Sequence, residues 1–290
     1  MKNFFIIVNT DKDAARSTAD NVENYLAEKG MRCRRAASVS RKWADSRGNG
    51  LTPHYTDAGQ IPDDTDCIIV LGGDGTLLEA ARDTAGRDIP LIGINTGHLG
   101  YLTQVSREED IFPALDRLIA DDYRINTRMM LDGAVYSGDK LIKRDVSMND
   151  VILSRFGMHP VHFSVYVDGQ MLGNFSGDGI VVATPTGSTA YSLAAGGPVL
   201  DPATRMIVLT PICPHTVASR SIVVSHRSEV TIVPDPDYAG MQSVSFDGGE
   251  AISAAPGDRI VIVESKLSAP LIELERMSFL ERVRRKMKMI

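Results

Sequence analysis

At 290 residues the chain can bury one large core or two medium ones, and its hydrophobic share of 43% is ordinary for a globular protein, so two domains are expected. A formal charge of −6 argues against a nucleic-acid or anionic-membrane partner, because either needs a concentrated basic surface, and any phosphate must be drawn by local chemistry. Cys33, Cys67 and Cys213 lie far apart without Cys-x-x-Cys spacing, the N-terminal apolar run is too short for a signal peptide, and no stretch nears the roughly 18 apolar residues of a membrane span, which together predict a cytoplasmic protein.

Phe4 to Val8 reads as a buried strand, after which Ala15, Ala19, Val22 and Leu26 recur at helical spacing until Gly30 ends the pattern. A second strand is predicted near Met31 to Ala37, and the polar stretch from Ser38 to Asp66 reads as one long surface loop. Cys67 to Leu71 is a third strand, and Gly72-Gly73-Asp74-Gly75-Thr76 then turns into a helix predicted over 77–85. Glycines at such a turn let backbone N–H groups approach a ligand, and the helix N-terminus favours phosphate. A carboxylate in that cradle repels phosphate unless it holds something else. The fitting partner is a substrate hydroxyl whose proton it accepts while a phosphoryl group arrives. Asp74 thus points to a kinase for an alcohol, although an Asp between glycines can also do no more than shape a turn. The run is neither a P-loop nor a Gly-x-Gly-x-x-Gly dinucleotide turn. Pro90 to Ile94 gives a further strand and Ile111, Leu115, Leu118 and Ile119 a further helix, so the first half alternates as a parallel α/β sheet does.

From about Asn126 short alternating runs take over. Val161 to Val167 alternates and is followed by the hairpin signal Asp168-Gly169. Leu131–Tyr136, Val151–Ser154, Ile180–Ala183, Ile207–Leu209, Ile222–Val224, Val230–Val233, Val244–Phe246 and Ile260–Val263 are the other strand candidates. The expected class is α/β plus β: an N-terminal α/β domain over 1–125 and a C-terminal β-rich, sandwich-like domain over 126–269. A basic helical tail within 270–290 is expected to return to the first half. The segment Gly177 to Pro198 carries more hydroxyls and glycines than a core strand tolerates. Thr184-Pro185-Thr186-Gly187-Ser188-Thr189 reads as a loop offering donors and acceptors to a polar ligand, with Tyr191 able to stack on a ring.

Gly72 to Thr76, the run Asn95-Thr96-Gly97-His98-Leu99-Gly100-Tyr101-Leu102-Thr103, the pair Asn149-Asp150 and the 178–198 segment resemble, in that order, the motifs of NAD kinases. The Gly-Gly-Asp-Gly-Thr turn alone is shared with diacylglycerol and sphingosine kinases, whereas the 178–198 stretch is highly specific. The resemblance implies transfer of the γ-phosphoryl of ATP, or of another phosphoryl donor, to the 2′-hydroxyl of the adenosine ribose of NAD, giving NADP. It also implies a Rossmann-like first domain, a β-rich second domain with the active site between them, and a homodimer or homotetramer. Mg²⁺ or another divalent cation would arrive on the phosphates of ATP, since no ligand cage is visible in the sequence.

Residue by residue, the resemblance makes Asp74 the general base, with Gly72, Gly73, Gly75 and Thr76 forming the phosphate-facing turn. Asn149 and Asp150 are similar to an Asn-Glu/Asp pair suited to the adenosine or ribose of NAD. Thr189, Ala190, Tyr191 and Ser192, with Ala194 beside them, match positions lining the nicotinamide-ribose end. Asp178 matches an acid near the dinucleotide, and His159 a ring-contacting position. Two places depart from the family pattern: Ser176 stands where many members have Arg, and Asp247-Gly248-Gly249 where many show Asp-Gly-Gln. His159 and His162, three apart on a strand pattern, are expected on opposite faces and make no metal site. A lipid kinase sharing the Asp74 turn should show an apolar cleft or membrane-facing surface, which this acidic chain does not advertise. A non-catalytic NAD sensor would gain nothing from a carboxylate beside phosphates.

Overall fold

The computed structural model describes residues 1–10, 13–36, 43–44, 51–52, 56–95, 100–215, 219–237, 242–274 and 278–286. The chain forms two compact units, one of Met1–Trp43, Thr52–Arg128 and Ala269–Ile290, the other of Ala44–Leu51 and Met129–Ser268.

In the first unit four strands lie parallel in the order Arg32–Arg35, Asn3–Val8, Cys67–Gly72 and Leu91–Asn95. The end of the long strand Arg259–Glu273 joins them through Leu271, paired with Leu91. The strands Cys67–Gly72 and Leu91–Asn95 are buried at every position, as a parallel sheet covered on both faces requires. Helix Asp13–Glu28 contributes Ala15, Ala19, Val22 and Leu26, and helix Ile111–Ile119 contributes Leu115 and Leu118, to a core that includes Ile6, Ile69 and Leu71. Gly30, at φ +76°, follows the first helix in the left-handed conformation that ends helices. Among its described residues, the stretch predicted as one loop between residues 38 and 66 contains two short paired strands, Trp43–Ala44 and Leu51–Thr52, and a 3₁₀ turn, Ala58–Gln60. Its other positions from 38 to 55 lie outside the described residues.

The second unit is a sandwich of antiparallel strands. One layer runs Ile222–Ser225, Met206–Ile212, Gly179–Ala183, Asp150–Arg155, Gln242–Phe246 and Ile252–Ala254. The other contains Gln170–Gly177, Val161–Val167, Val230–Pro234 and Arg259–Glu273, with Arg124–Ser137 pairing the last of these and Lys140–Ser147. Val151, Leu153, Ile180, Val182 and Phe246 of the first layer pack with Val161, Phe163, Val165, Ile232 and Ile262 of the second in one buried cluster. Asp168 and Gly169 close a hairpin at φ 51° and 75°, the two positive values that a two-residue turn of this kind demands.

Sequence patterning missed Lys140–Ser147, Gln170–Gly177 and Ile252–Ala254. The first two are return strands of hairpins with a single buried residue each, and the third is a three-residue edge. None buries enough side chains to print an alternating hydrophobic signal. Among the described residues no helix is long and apolar enough to cross a membrane.

Candidate active site

The helix expected to begin at Leu77 begins three residues earlier, at Asp74, with Gly73 as an extended N-cap that supplies no side-chain cap. Asp74, Gly75 and Thr76 are therefore the helix's first turn, closed by the Leu77 N–H donating to the Gly73 carbonyl at 3.2 Å. An acid there complements the partial positive charge of the helix end, which offsets the poor helix propensity of glycine. The glycines have different reasons. A Cβ on Gly72 would lie 2.5 Å from Thr76 Oγ1, whereas one on Gly73 or Gly75 would meet nothing within 4 Å. Thr76 Oγ1 is held from behind by Asn9 Nδ2 at 3.2 Å. Among the described residues nothing crowds the backbone of Gly73 or of Gly75, the two neighbours of Asp74.

The Asp74 carboxylate is firmly anchored. Oδ2 accepts the Tyr101 N–H at 2.6 Å; Oδ1 accepts the N–H groups of Leu102 and Thr103 at 3.2 and 3.1 Å and the Thr103 hydroxyl at 3.2 Å. The Asn95-to-Thr103 run, which the sequence supplied only as a motif, therefore acts on Asp74 through its last residues. Thr96 to Leu99 lie outside the described residues.

In the second unit a different acid organises the Asn149-Asp150 turn. Asp247, at φ 50° in the hairpin after Gln242–Phe246, accepts the N–H of Met148 at 2.8 Å, of Asn149 at 2.7 Å and of Asp150 at 3.0 Å. The Asp247 N–H in turn donates to the Asp150 carbonyl at 2.9 Å. The Asp150 side chain is 4% exposed. Burial first, and the charge of nearby Asp247 second, push its carboxyl up to about 7, so it holds its proton far above the ordinary carboxylate range. Asp247, the residue of the Asp247-Gly248-Gly249 run that keeps to the family pattern, is thus the acceptor that shapes this turn, and the departure falls two residues later, at Gly249.

The hydroxyl-rich loop after Gly179–Ala183, expected to offer donors and acceptors to a polar ligand, spends several of them inside the protein. Thr184 Oγ1 donates to the Met148 carbonyl at 2.6 Å and accepts the Gly187 N–H at 3.0 Å, while the Thr184 N–H donates to the Asn149 carbonyl at 2.8 Å. A Cβ on Gly187 would collide with the Asn149 carbonyl oxygen. Ser188 Oγ donates to the Pro185 carbonyl and accepts the Leu200 N–H, and Ser192, fully buried, bonds Thr210 at 2.9 Å. Buried hydroxyls need such partners. Of the predicted set, Tyr191 is 43% exposed, Ala194 is exposed, and Thr189 and Ala190 are half-buried; these form the accessible face, and Ser192 lies beneath it.

The remaining predicted residues lie elsewhere in the second unit. Asp178 pairs with Arg155 at 2.7 Å, and Ser176 contacts His215 Nδ1 at 3.4 Å. His159 is exposed in the turn before Val161–Val167, so it is not on a strand with His162, and the opposite-face expectation for the two does not apply. Gly100, Thr103 and Asp247 are organising residues that no sequence pattern marks as part of a site. Gly100 and Thr103 signal themselves only by sitting in the quoted motif, and Asp247 by its Asp-Gly hairpin signature, which reads as turn chemistry rather than as an acceptor for a distant segment.

A family model described as the ATP-NAD kinase N-terminal domain matches residues 4–123, and one described as the ATP-NAD kinase C-terminal domain matches residues 148–274. An NAD kinase of Lachnospira eligens is 39% identical over 300 residues, covering 99% of this chain and 100% of the relative. Among solved structures, yeast NADH kinase complexed with NADH gives a TM-score of 0.85 at 21% identity, covering 100% of this chain and 88% of that one. An NAD kinase from Archaeoglobus fulgidus in complex with ATP gives 0.72 at 23% identity, covering 99% and 98%. At these identities the likeness to the solved structures concerns the fold.

Proposed function

This chain belongs to the NAD kinase family, and from that premise we propose that it transfers the γ-phosphoryl of ATP, or of another phosphoryl donor, to the 2′-hydroxyl of the adenosine ribose of NAD, giving NADP. The observation that carries the chemical part of this reading is the Asp74 carboxylate. It stands in the first turn of a helix, between two glycines on which a side chain would meet nothing among the described residues. The helix N-terminus and its glycines suit donor phosphates. The acid takes the ribose hydroxyl proton as the new O2′–P bond forms and the bond from the γ-phosphorus to the bridging oxygen breaks, leaving ADP.

Asn149 and Asp150 are assigned to the acceptor nucleotide, supported by the effort the fold makes to shape their turn through Asp247 and Thr184. Tyr191, with Thr189, Ala190 and Ala194, offers the exposed apolar face for a ring. Asp178 and His159 are kept as dinucleotide-proximal positions on the strength of the family pattern, and Ser176 for its place just before the Gly177-Asp178-Gly179 run, although many members have Arg there.

A divalent cation fits this chain as a companion of the donor. Mg²⁺ bound chiefly by phosphates needs only one or two protein carboxylates. When bound, it neutralises charge on the transferring phosphoryl group. Cytoplasmic location and a homodimer or homotetramer remain part of the proposal.

Incubating the pure protein with ATP, Mg²⁺ and NAD and reading NADP with an NADP-specific dehydrogenase tests the reaction and the position of the phosphate together. Steady NADP formation is expected. ADP release without NADP would refute the assignment.

A further inference from the structure

The hydroxyl of Thr103 sits in the middle of a chain of three side chains. Its Oγ1 accepts from Asn95 Nδ2 at 3.2 Å and from the Gly100 N–H at 3.2 Å, and donates to Asp74 Oδ1 at 3.2 Å. A hydroxyl has one proton and two lone pairs. Both lone pairs here face N–H groups that can only donate, so the proton is directed to the carboxylate. Thr103 is 4% exposed and Asn95 6%, and bulk water does not compete for these groups.

The consequence falls on the two oxygens of Asp74 unequally. Among the described residues Oδ1 takes three donors, from Leu102, Thr103 and the Thr103 hydroxyl, and Oδ2 takes one, from Tyr101. A carboxylate oxygen offers about two lone-pair sites, so Oδ1 is saturated and Oδ2 keeps capacity for one more proton donor. We infer that Thr103, oriented by Asn95, is a positioning residue that fixes the rotation of the Asp74 carboxylate and makes Oδ2 the oxygen that takes the substrate proton. The inference rests on Asp74 being the base, as proposed above. Thr103 itself touches no reacting atom.

The test places Thr103→Val, which replaces the hydroxyl by a methyl of similar shape, and Thr103→Ser in the parent chain and in Asp74→Asn. Steady-state kinetics are read for NAD and ATP separately. Thr103→Val is expected to lower kcat roughly 10–100-fold with both KM values within about threefold, the mark of a misaligned base rather than a damaged binding surface. Thr103→Ser should recover kcat to within about threefold of the parent. In the Asp74→Asn background Thr103→Val should change kcat by less than about threefold, because the group it orients is already gone. Should Thr103→Val not fold, Asn95→Ala carries the same expectations. Parental kcat in Thr103→Val, or an undiminished further loss on top of Asp74→Asn, would overturn the positioning role while leaving Asp74 as the base. Parental kcat in Asp74→Asn alone would instead remove the reading on which the inference rests.

Discussion

The backbone of Gly100 lies directly against the carboxylate of Asp74: a Cβ at position 100 would fall inside that group, nearest to Oδ1. Gly100 is a glycine for close approach rather than for an unusual backbone angle, and the approach lets the next three N–H groups converge on one acid. Gly100→Ala is therefore expected to displace the carboxylate and lower kcat at least about 10²-fold, the scale of a 1 Å misplacement. Steady-state turnover checks it, and a kcat within threefold of the parent would contradict the described contact.

Asp74→Asn tests the base more directly. Turnover should fall by ~10²–10⁴, the usual contribution of a positioned general base. The variant should also lose stability, because one carboxylate oxygen becomes an NH₂ group, and if that group takes the Oδ2 place it faces the Tyr101 N–H. A donor set against a donor costs about 1–3 kcal/mol, readable as a lower urea midpoint. Unchanged stability would mean that the loop around Gly100 to Thr103 does not lean on the acid.

Asp150 supplies a pH signature. Its folded carboxyl is raised to about 7, so the folded chain binds a proton that the unfolded chain has released near pH 4. That contribution to stability is fully present below pH 4 and is lost as pH rises through 7. Asp150→Asn removes it, so the stability of the variant relative to the parent should improve by about 2–3 kcal/mol between pH 5 and pH 8. Urea titrations at the two pH values give the difference, and a constant gap would show that Asp150 ionises normally.

Asp247→Ala should damage acceptor binding without touching the donor. Three N–H groups of residues 148 to 150 lose their acceptor. We expect a stability loss of at least about 2 kcal/mol and a KM for NAD raised roughly tenfold, with KM for ATP nearly unchanged. A defect confined to ATP would place this turn on the other substrate.

Activity should vanish in excess chelator and return with Mg²⁺ or Mn²⁺, because phosphoryl transfer needs charge neutralisation and the Asp74 turn brings no lysine of the P-loop type. Full turnover on ATP in excess EDTA would overturn this.

Much of this protein is legible in its residues alone. Alternation of buried strands with the Ala15, Ala19, Val22, Leu26 periodicity announces a parallel sheet, because both of its faces must be covered. The run Val161 to Val167 with Asp168-Gly169 announces a hairpin, because only a few residues tolerate two positive φ angles in succession. The acid among the glycines at 72–76 points to its chemistry because a charge beside phosphates needs a reason. Those are local rules, each satisfied within a few residues. What holds Asp74 is not local. Its donors come from Tyr101, Leu102 and Thr103, 27 to 29 positions away, and the donors that meet Asp247 come from 97 to 99 positions away. Backbone N–H groups look identical at every residue, so no sequence pattern marks which of them will face a carboxylate. The same blindness hid the inward use of Ser188 and Ser192, whose hydroxyls read as surface chemistry until Leu200 and Thr210 supplied their partners. Residue type determined which groups could accept a proton or a hydrogen bond; only tertiary contact decided which oxygen of which acid was left to do so.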